Sequence, residues 1–163
     1  MDIFGGFGVA DQYQKPYLDS SVFIAWLKGE IVKGVNRRAI ADHILTLAEN
    51  GQFKIHTSAI TLAEVHKLRT GPSLANDEDE RILAYFEHDF IQIIDADRAI
   101  GEQANRLCRQ YGILPNDGIH LACALRAGCD ALLAWDDRFV KADHPDIRIE
   151  EPQRLGQARM REP

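Results

Sequence analysis

The chain has 163 residues, 45% hydrophobic and 27% charged, which bounds it to one globular domain large enough for a real core. No run reaches the roughly 18 apolar residues of a membrane span, and the start MDIFGGFGVADQ carries acids where a secretory signal carries bases, so a cytoplasmic protein without membrane association is expected. A formal charge of −6 also argues against a general nucleic-acid binder, which shows a basic footprint.

Cys108, Cys123 and Cys129 form an odd set without a C-x-x-C pair, against both a disulfide framework and a structural zinc site. The histidines show no H-E-x-x-H spacing, so zinc chemistry is not indicated. Residues 1–15 carry Gly5, Gly6 and Gly8 without periodicity and are expected to form a flexible extension. The Gly6-x-Gly8 pair lacks both a preceding strand and a third glycine, so it is not a dinucleotide loop.

From Pro16 the hydrophobic period alternates between strand and helix. Tyr17–Asp19 ends a short strand, and a helix runs from Ser20 to about Leu27. Asn36–Asn50 is a second helix, capped by Asn36 and stopped by Gly51. Phe53–His56 is the next strand, followed by a helix from about Ala59 to Arg69 that Thr70-Gly71-Pro72 terminates. A polar helix over about Asp77–His88 precedes the β-rich run Phe90–Ile94. Asp97–Tyr111 and Asn116–Ala127 are amphipathic helices, and Ala131–Trp135, a short helix near Asp137–Ala142 and Ile147–Ile149 end the domain. This is the sequence form of an α/β fold, a mostly parallel sheet of about five strands flanked by helices. The domain spans 16–151, with 152–163 as a loose tail.

Acidic residues recur where the apolar runs end. Asp19 closes the first strand in YLDSSVFIAWL, where it would also serve as an N-cap. Glu64, in SAITLAEVHKL, is spaced i+4 from Ile60 and so shares an apolar face. A carboxylate there is desolvated unless it finds a partner; Lys67 or Lys54 would supply an ordinary one. Asp117, in LPNDGIHLACAL, is an N-cap candidate beside Asn116, yet its i+4 neighbour is Leu121 on the expected buried face. Asp136 follows the strand ALLAW; alternation along an extended segment points it to the site and leaves Asp137 to cap the next helix. His120 reads as a hydrogen-bonded structural residue near this region. Alternating folds gather such positions at one sheet edge, and clustered carboxylates suit a hard divalent cation.

The segments Y-L-D-S-S, S-A-I-T-L-A-E, N-D-G-I-H-L-A-C-A-L and A-W-D-D-R-F together resemble the PIN-domain family, and within it the VapC-type toxins of toxin–antitoxin pairs. The likeness runs from about Tyr17 to Ile149. It implies that Asp19, Glu64, Asp117 and Asp136 form an acidic quartet binding Mg²⁺ or Mn²⁺, with the hydroxyls of Ser21 and Thr61 in support. It further implies hydrolysis of RNA phosphodiester bonds, a cognate antitoxin, an RNA substrate and a homodimer. The antitoxin's apolar segment would lie between Val22–Leu27 and Ile60–Leu68, with Trp26 as anchor. Basic clusters such as Lys28, Lys33, Arg37 and Arg38 leave room for RNA contacts despite the net charge. In one departure from the family, Ala134 stands where Thr is frequent.

Two other classes compete. A receiver-type signalling domain also holds Mg²⁺ with strand-end aspartates, but Asp19 lacks an acidic neighbour and Ile147–Glu150 lacks a lysine. A haloacid-type phosphatase would need D-x-D where this chain has D-S-S. A PIN-like module that binds RNA or protein without activity is the remaining alternative.

Overall fold

The computed structural model describes residues 13–68 and 76–152. β1 (Pro16–Leu18) leads through Asp19 into α1 (Ser20–Lys28), which ends at Gly29 in the left-handed conformation. A hairpin of β2 (Ile31–Val32) and β3 (Val35–Asn36) precedes α2 (Arg37–Glu49). β4 (Ile55–Ser58) runs directly into α3 (Ala59–Glu64), followed by a 3₁₀ turn (Val65–Leu68). Then come α4 (Asn76–Tyr85), β5 (Ile91–Ile94), α5 (Arg98–Tyr111), α6 (Pro115–Arg126), β6 (Ala131–Leu133), α7 (Asp137–Val140) and β7 (Arg148–Glu150).

The main sheet has five strands, all parallel, in the order β5-β4-β1-β6-β7. The chain builds outward from β1 on one side and then returns to build on the other. The order therefore reverses at β1, and the crevice at the carboxyl ends of strands around such a switch point is where α/β folds bind ligands. Numbered along the chain, the sheet reads 3-2-1-4-5. A receiver-type domain has the order 2-1-3-4-5, so topology sets that alternative aside.

Side-chain alternation divides the core between the two faces of the sheet. Leu18, Ile55 and Leu133 pack with Phe23, Ile44 and Phe86 on the α1–α2 face. Tyr17, Leu132 and Ala134 pack with Ile100, Leu107, Leu121 and Phe139 on the α5–α6 face. Gly118 lets α5 and α6 approach closely: a β-carbon there would stand 3.0 Å from the Ala104 carbonyl oxygen and collide with Cys108 Sγ. The glycine in the N-D-G-I-H segment thus seats the start of α6 against its neighbour. Cys123 is fully buried, and all three cysteines are free thiols.

Four expectations are corrected. The packed domain starts by Tyr13 rather than residue 16: Tyr13 is wholly buried, and the Gln14 and Lys15 amides donate to Asp130 at 3.1 and 2.5 Å. The second strand is shifted by two residues, Ile55–Ser58 in place of Phe53–His56. Thr57 and Ser58 look like loop residues but are buried, because the Thr57 hydroxyl donates to the Leu18 carbonyl and Ser58 caps α3. The β2–β3 hairpin was not expected; its turn places Lys33 at φ 49° and Gly34 at φ 77°. The helix expected to reach Arg69 is α-helical only to Glu64. Residues 1–12, the Thr70-Gly71-Pro72 stop and the tail beyond Pro152 lie outside the described residues.

Candidate active site

The acidic residues reach the switch point from four different elements. Asp19 is the first residue beyond β1 and the N-cap of α1, its Oδ2 accepting the Ser21 amide at 3.1 Å. It has the same strand parity as Tyr17, so it turns to the α6 side of the sheet. Glu64 ends α3, which starts at the carboxyl end of β4. Asp117 lies in the first turn of α6. Asp136 follows β6 and caps α7, Oδ1 accepting the Arg138 and Phe139 amides at 2.8 and 3.3 Å. All four line one cavity of about 420 Å³, together with Ser20, Ser21, Leu114, Pro115 and Asn116. A larger cleft of about 600 Å³ opens beside β7, but there Asp130 and Glu150 are both within reach of Arg148.

Asn116, Ser20 and His120 all contact the Glu64 carboxylate. Its Oε1 accepts the Asn116 amide at 2.6 Å; its Oε2 accepts the Ser20 hydroxyl and lies 3.1 Å from His120 Nε2. The same nitrogen is 3.2 Å from Asp19 Oδ1. His120 Nδ1 is 2.8 Å from the Tyr17 hydroxyl, and both rings are buried. These contacts place polar partners around a Glu64 side chain that is 11% exposed. Ser21 lines the cavity, and its hydroxyl accepts the Trp135 amide at 3.1 Å, tying α1 to the segment before Asp136. Arg37 stacks over Trp135, 4.8 Å from the ring centre, and pairs with Glu30.

The structure redistributes the capping roles. Neither Asn116 nor Asp117 caps α6: Leu114 holds the N-cap position and Pro115 the first helical one, where its fixed φ and missing N–H fit. Asp117 is consequently left with a buried Oδ2 that has no hydrogen-bond partner. Asp136, rather than Asp137, caps α7 while still facing the cavity. Thr61 is fully buried and its hydroxyl is bonded to that of Thr57 at 2.7 Å; it is not among the cavity-lining residues. From the sequence Asn116 reads as a cap candidate and His120 as a structural residue, while Ser20 is open between a cap and a holder of metal-bound water; their nearness to Asp19 and Asp117 in the chain was the available signal.

Burial and the neighbouring charges of Asp19, Asp136 and Glu64 raise the Asp117 carboxyl to about 6, against a smaller lowering by His120. Burial opposes the charged form of His120, but Asp19, Glu64 and Asp117 outweigh it and raise that imidazole. The four carboxylates crowd negative charge into one cavity. Its donors are carboxylate oxygens, one of them buried and unsatisfied, and these fit a hard divalent cation. Among the described residues, no group of three or more His, Cys, Asp or Glu side chains is already arranged to hold a metal ion. Asp19 and Glu64 each have an oxygen turned to His120, and Asp136 has one on the α7 backbone.

Comparison with known proteins bears on both fold and family. No curated protein is significantly similar in sequence. Among solved structures, a toxin–antitoxin complex from Klebsiella pneumoniae matches with a TM-score of 0.58 at 18% identity, over 85% of this chain and 98% of that one. VapC20 of Mycobacterium tuberculosis, a sarcin-ricin loop cleaving toxin, matches at 0.59 and 19% identity, over 82% and 98% of the two chains. VapBC2 from Rickettsia felis, bound to a DNA fragment from its promoter, matches at 0.56 and 19%, over 86% and 100%. At these identities the neighbours establish the fold. The PIN domain family model matches residues 17–145, a span that holds all four carboxylates, and the chain belongs to the PIN domain family.

Proposed function

We propose that this protein is a Mg²⁺- or Mn²⁺-dependent endoribonuclease and the toxin of a toxin–antitoxin pair. The observation that carries this reading is the convergence of Asp19, Glu64, Asp117 and Asp136 on one cavity at the switch point, with an unsatisfied Asp117 oxygen. In the proposal Asp19, Asp117 and Asp136 hold the ion, and Glu64 either binds it or orients the attacking water. Bound there, a divalent cation supplies Lewis acidity toward the phosphate and neutralises charge developing in hydrolysis. The chain's own residues prepare the site: Ser20, Asn116 and His120 hold Glu64, and Ser21 anchors the backbone before Asp136. No covalent intermediate with the protein is required, and the site's hydroxyls, Ser20 and Ser21, are both engaged in hydrogen bonds.

The toxin role draws on the structural neighbours, which include a toxin–antitoxin complex and a toxin. On that analogy the partners are a cognate antitoxin, an RNA substrate and a second copy in a homodimer, and the site of action is the cytoplasm. No helix among the described residues is long and apolar enough to cross a membrane. Trp26 packs on Tyr85, with ring centres 4.7 Å apart, and donates to Asp42, so it would line the antitoxin groove rather than project from it.

The test is incubation of purified protein with RNA in Mg²⁺, Mn²⁺ or EDTA, beside Asp19→Ala and Asp117→Asn. Cleavage should need the ion and vanish in both variants. Cleavage in EDTA, or undiminished cleavage by Asp117→Asn, would refute the reading.

A further inference from the structure

His120 lies outside the acidic quartet, yet it is the group through which two of those acids meet. Its Nε2 stands 3.2 Å from Asp19 Oδ1 and 3.1 Å from Glu64 Oε2. A bare lone pair on that nitrogen would face two acceptor oxygens. Glu64 accepts from Asn116 at one oxygen and from Ser20 at the other, the pattern of an acceptor-only carboxylate. The hydrogen in the His120 contact therefore sits on Nε2, shared between the two acids. The opposite ring nitrogen is fastened to the Tyr17 hydroxyl at 2.8 Å, and the Tyr17 and His120 rings meet edge-on at 72°. Both rings are at most 1% exposed, so the imidazole has no solvent into which to swing.

We propose that His120 is a positioning residue: through one Nε2–H, oriented by Tyr17, it sets the spacing and rotamers of Asp19 and Glu64 as they receive the cation. This rests on the metal-site reading of the cavity. The device follows from the fold. Tyr17 on β1 and Asp19 just beyond it share strand parity, α6 crosses that face, and His120 comes one helical turn after Asp117. One residue thereby couples β1, the end of α3 and the start of α6. Carboxylates held by a second layer of hydrogen bonds have less rotamer freedom to lose when a ligand arrives, and loss of such support typically weakens metal affinity by about 10–100-fold.

The test uses two near-isosteric variants. His120→Gln places an amide N–H near the position of Nε2, and His120→Asn places one near Nδ1. Mn²⁺ binding to the full chain is followed by calorimetry, with thermal melts in EDTA to compare folding. His120→Asn should bind Mn²⁺ about 10–100-fold more weakly than wild type, and His120→Gln should recover about tenfold of that loss at a similar metal-free melting temperature. Independently of any ion, ¹⁵N-detected imidazole spectra of the wild-type protein should show a hydrogen on Nε2. A bare Nε2 overturns the proposal whatever the metal result. So does wild-type affinity in His120→Asn, or equal losses in both folded variants, and either outcome leaves the metal site itself standing. Absence of Mn²⁺ binding by the wild type removes the metal reading and this proposal together.

Discussion

Replacing Asp117 by Asn removes a charge while nearly preserving side-chain shape, so it isolates the repulsion within the site. Burial and three neighbouring acids raise this carboxyl from 3.8 to about 6. Two pH units correspond to a ceiling of about 3 kcal/mol against the ionised form. The group is only half-buried, and screening by solvent reduces that to about 1 kcal/mol; the dipole of α6 favours a negative charge in its first turn and works the other way. Asp117→Asn should therefore be more stable than wild type by about 1 kcal/mol at pH 8 in EDTA, seen as a melting temperature higher by about 2–4 °C. The sign of the pH dependence follows from the raised folded-state value. Between about 4 and 6 the native protein retains a proton that the unfolded chain has released, so this group's contribution falls as pH rises through that window. The advantage of Asp117→Asn should accordingly shrink at pH 5, where the wild-type carboxyl is largely neutral. Saturating Mg²⁺ should reverse the order at pH 8, because an ion that binds only the native state stabilises it. Melts by circular dichroism across pH, with and without Mg²⁺, measure all of this. A variant less stable than wild type in EDTA at pH 8 would refute the idea that repulsion dominates at Asp117.

Asp136→Ala should lose cleavage and also about 1 kcal/mol of stability, since it removes the α7 cap; unchanged urea unfolding would show that the cap is energetically idle. Gly118→Ala should cost about 1–3 kcal/mol through overpacking against Ala104 and Cys108, and a melting temperature equal to wild type would show that α5 and α6 can separate without penalty. Thr61→Val breaks a buried hydroxyl pair and should destabilise by about 1 kcal/mol with RNA cleavage intact; if cleavage is lost while the fold survives, the Thr61 hydroxyl acts at the site, as the family resemblance implies.

The alternation of apolar periods was sufficient to give the parallel α/β class, because short buried strands and amphipathic helices carry their periods in the chain itself. The placement of Asp19 and Asp136 at the sheet edge was legible for the same reason: each follows a strand at the parity that turns it to one face. The β2–β3 hairpin was not, since strands of two residues show no period and its Lys33-Gly34 turn lacks the Asn-Gly or Asp-Gly signal. Nor was the Ile55–Ser58 register, where a buried Thr57 hydroxyl bonded to the Leu18 carbonyl and to Thr61 looks in sequence like a loop residue. Capping was decided by geometry: Pro115 starts α6 one residue before Asn116, which frees Asp117 from the backbone and Asn116 to reach Glu64. The contacts that organise the cavity join residues 44 to 114 positions apart, Ser20 to Glu64 and Ser21 to Trp135 among them. Local periodicity holds no information at that range. Strand order brings β1, β4 and β6 side by side, and only that adjacency brings four separate acids to one cavity.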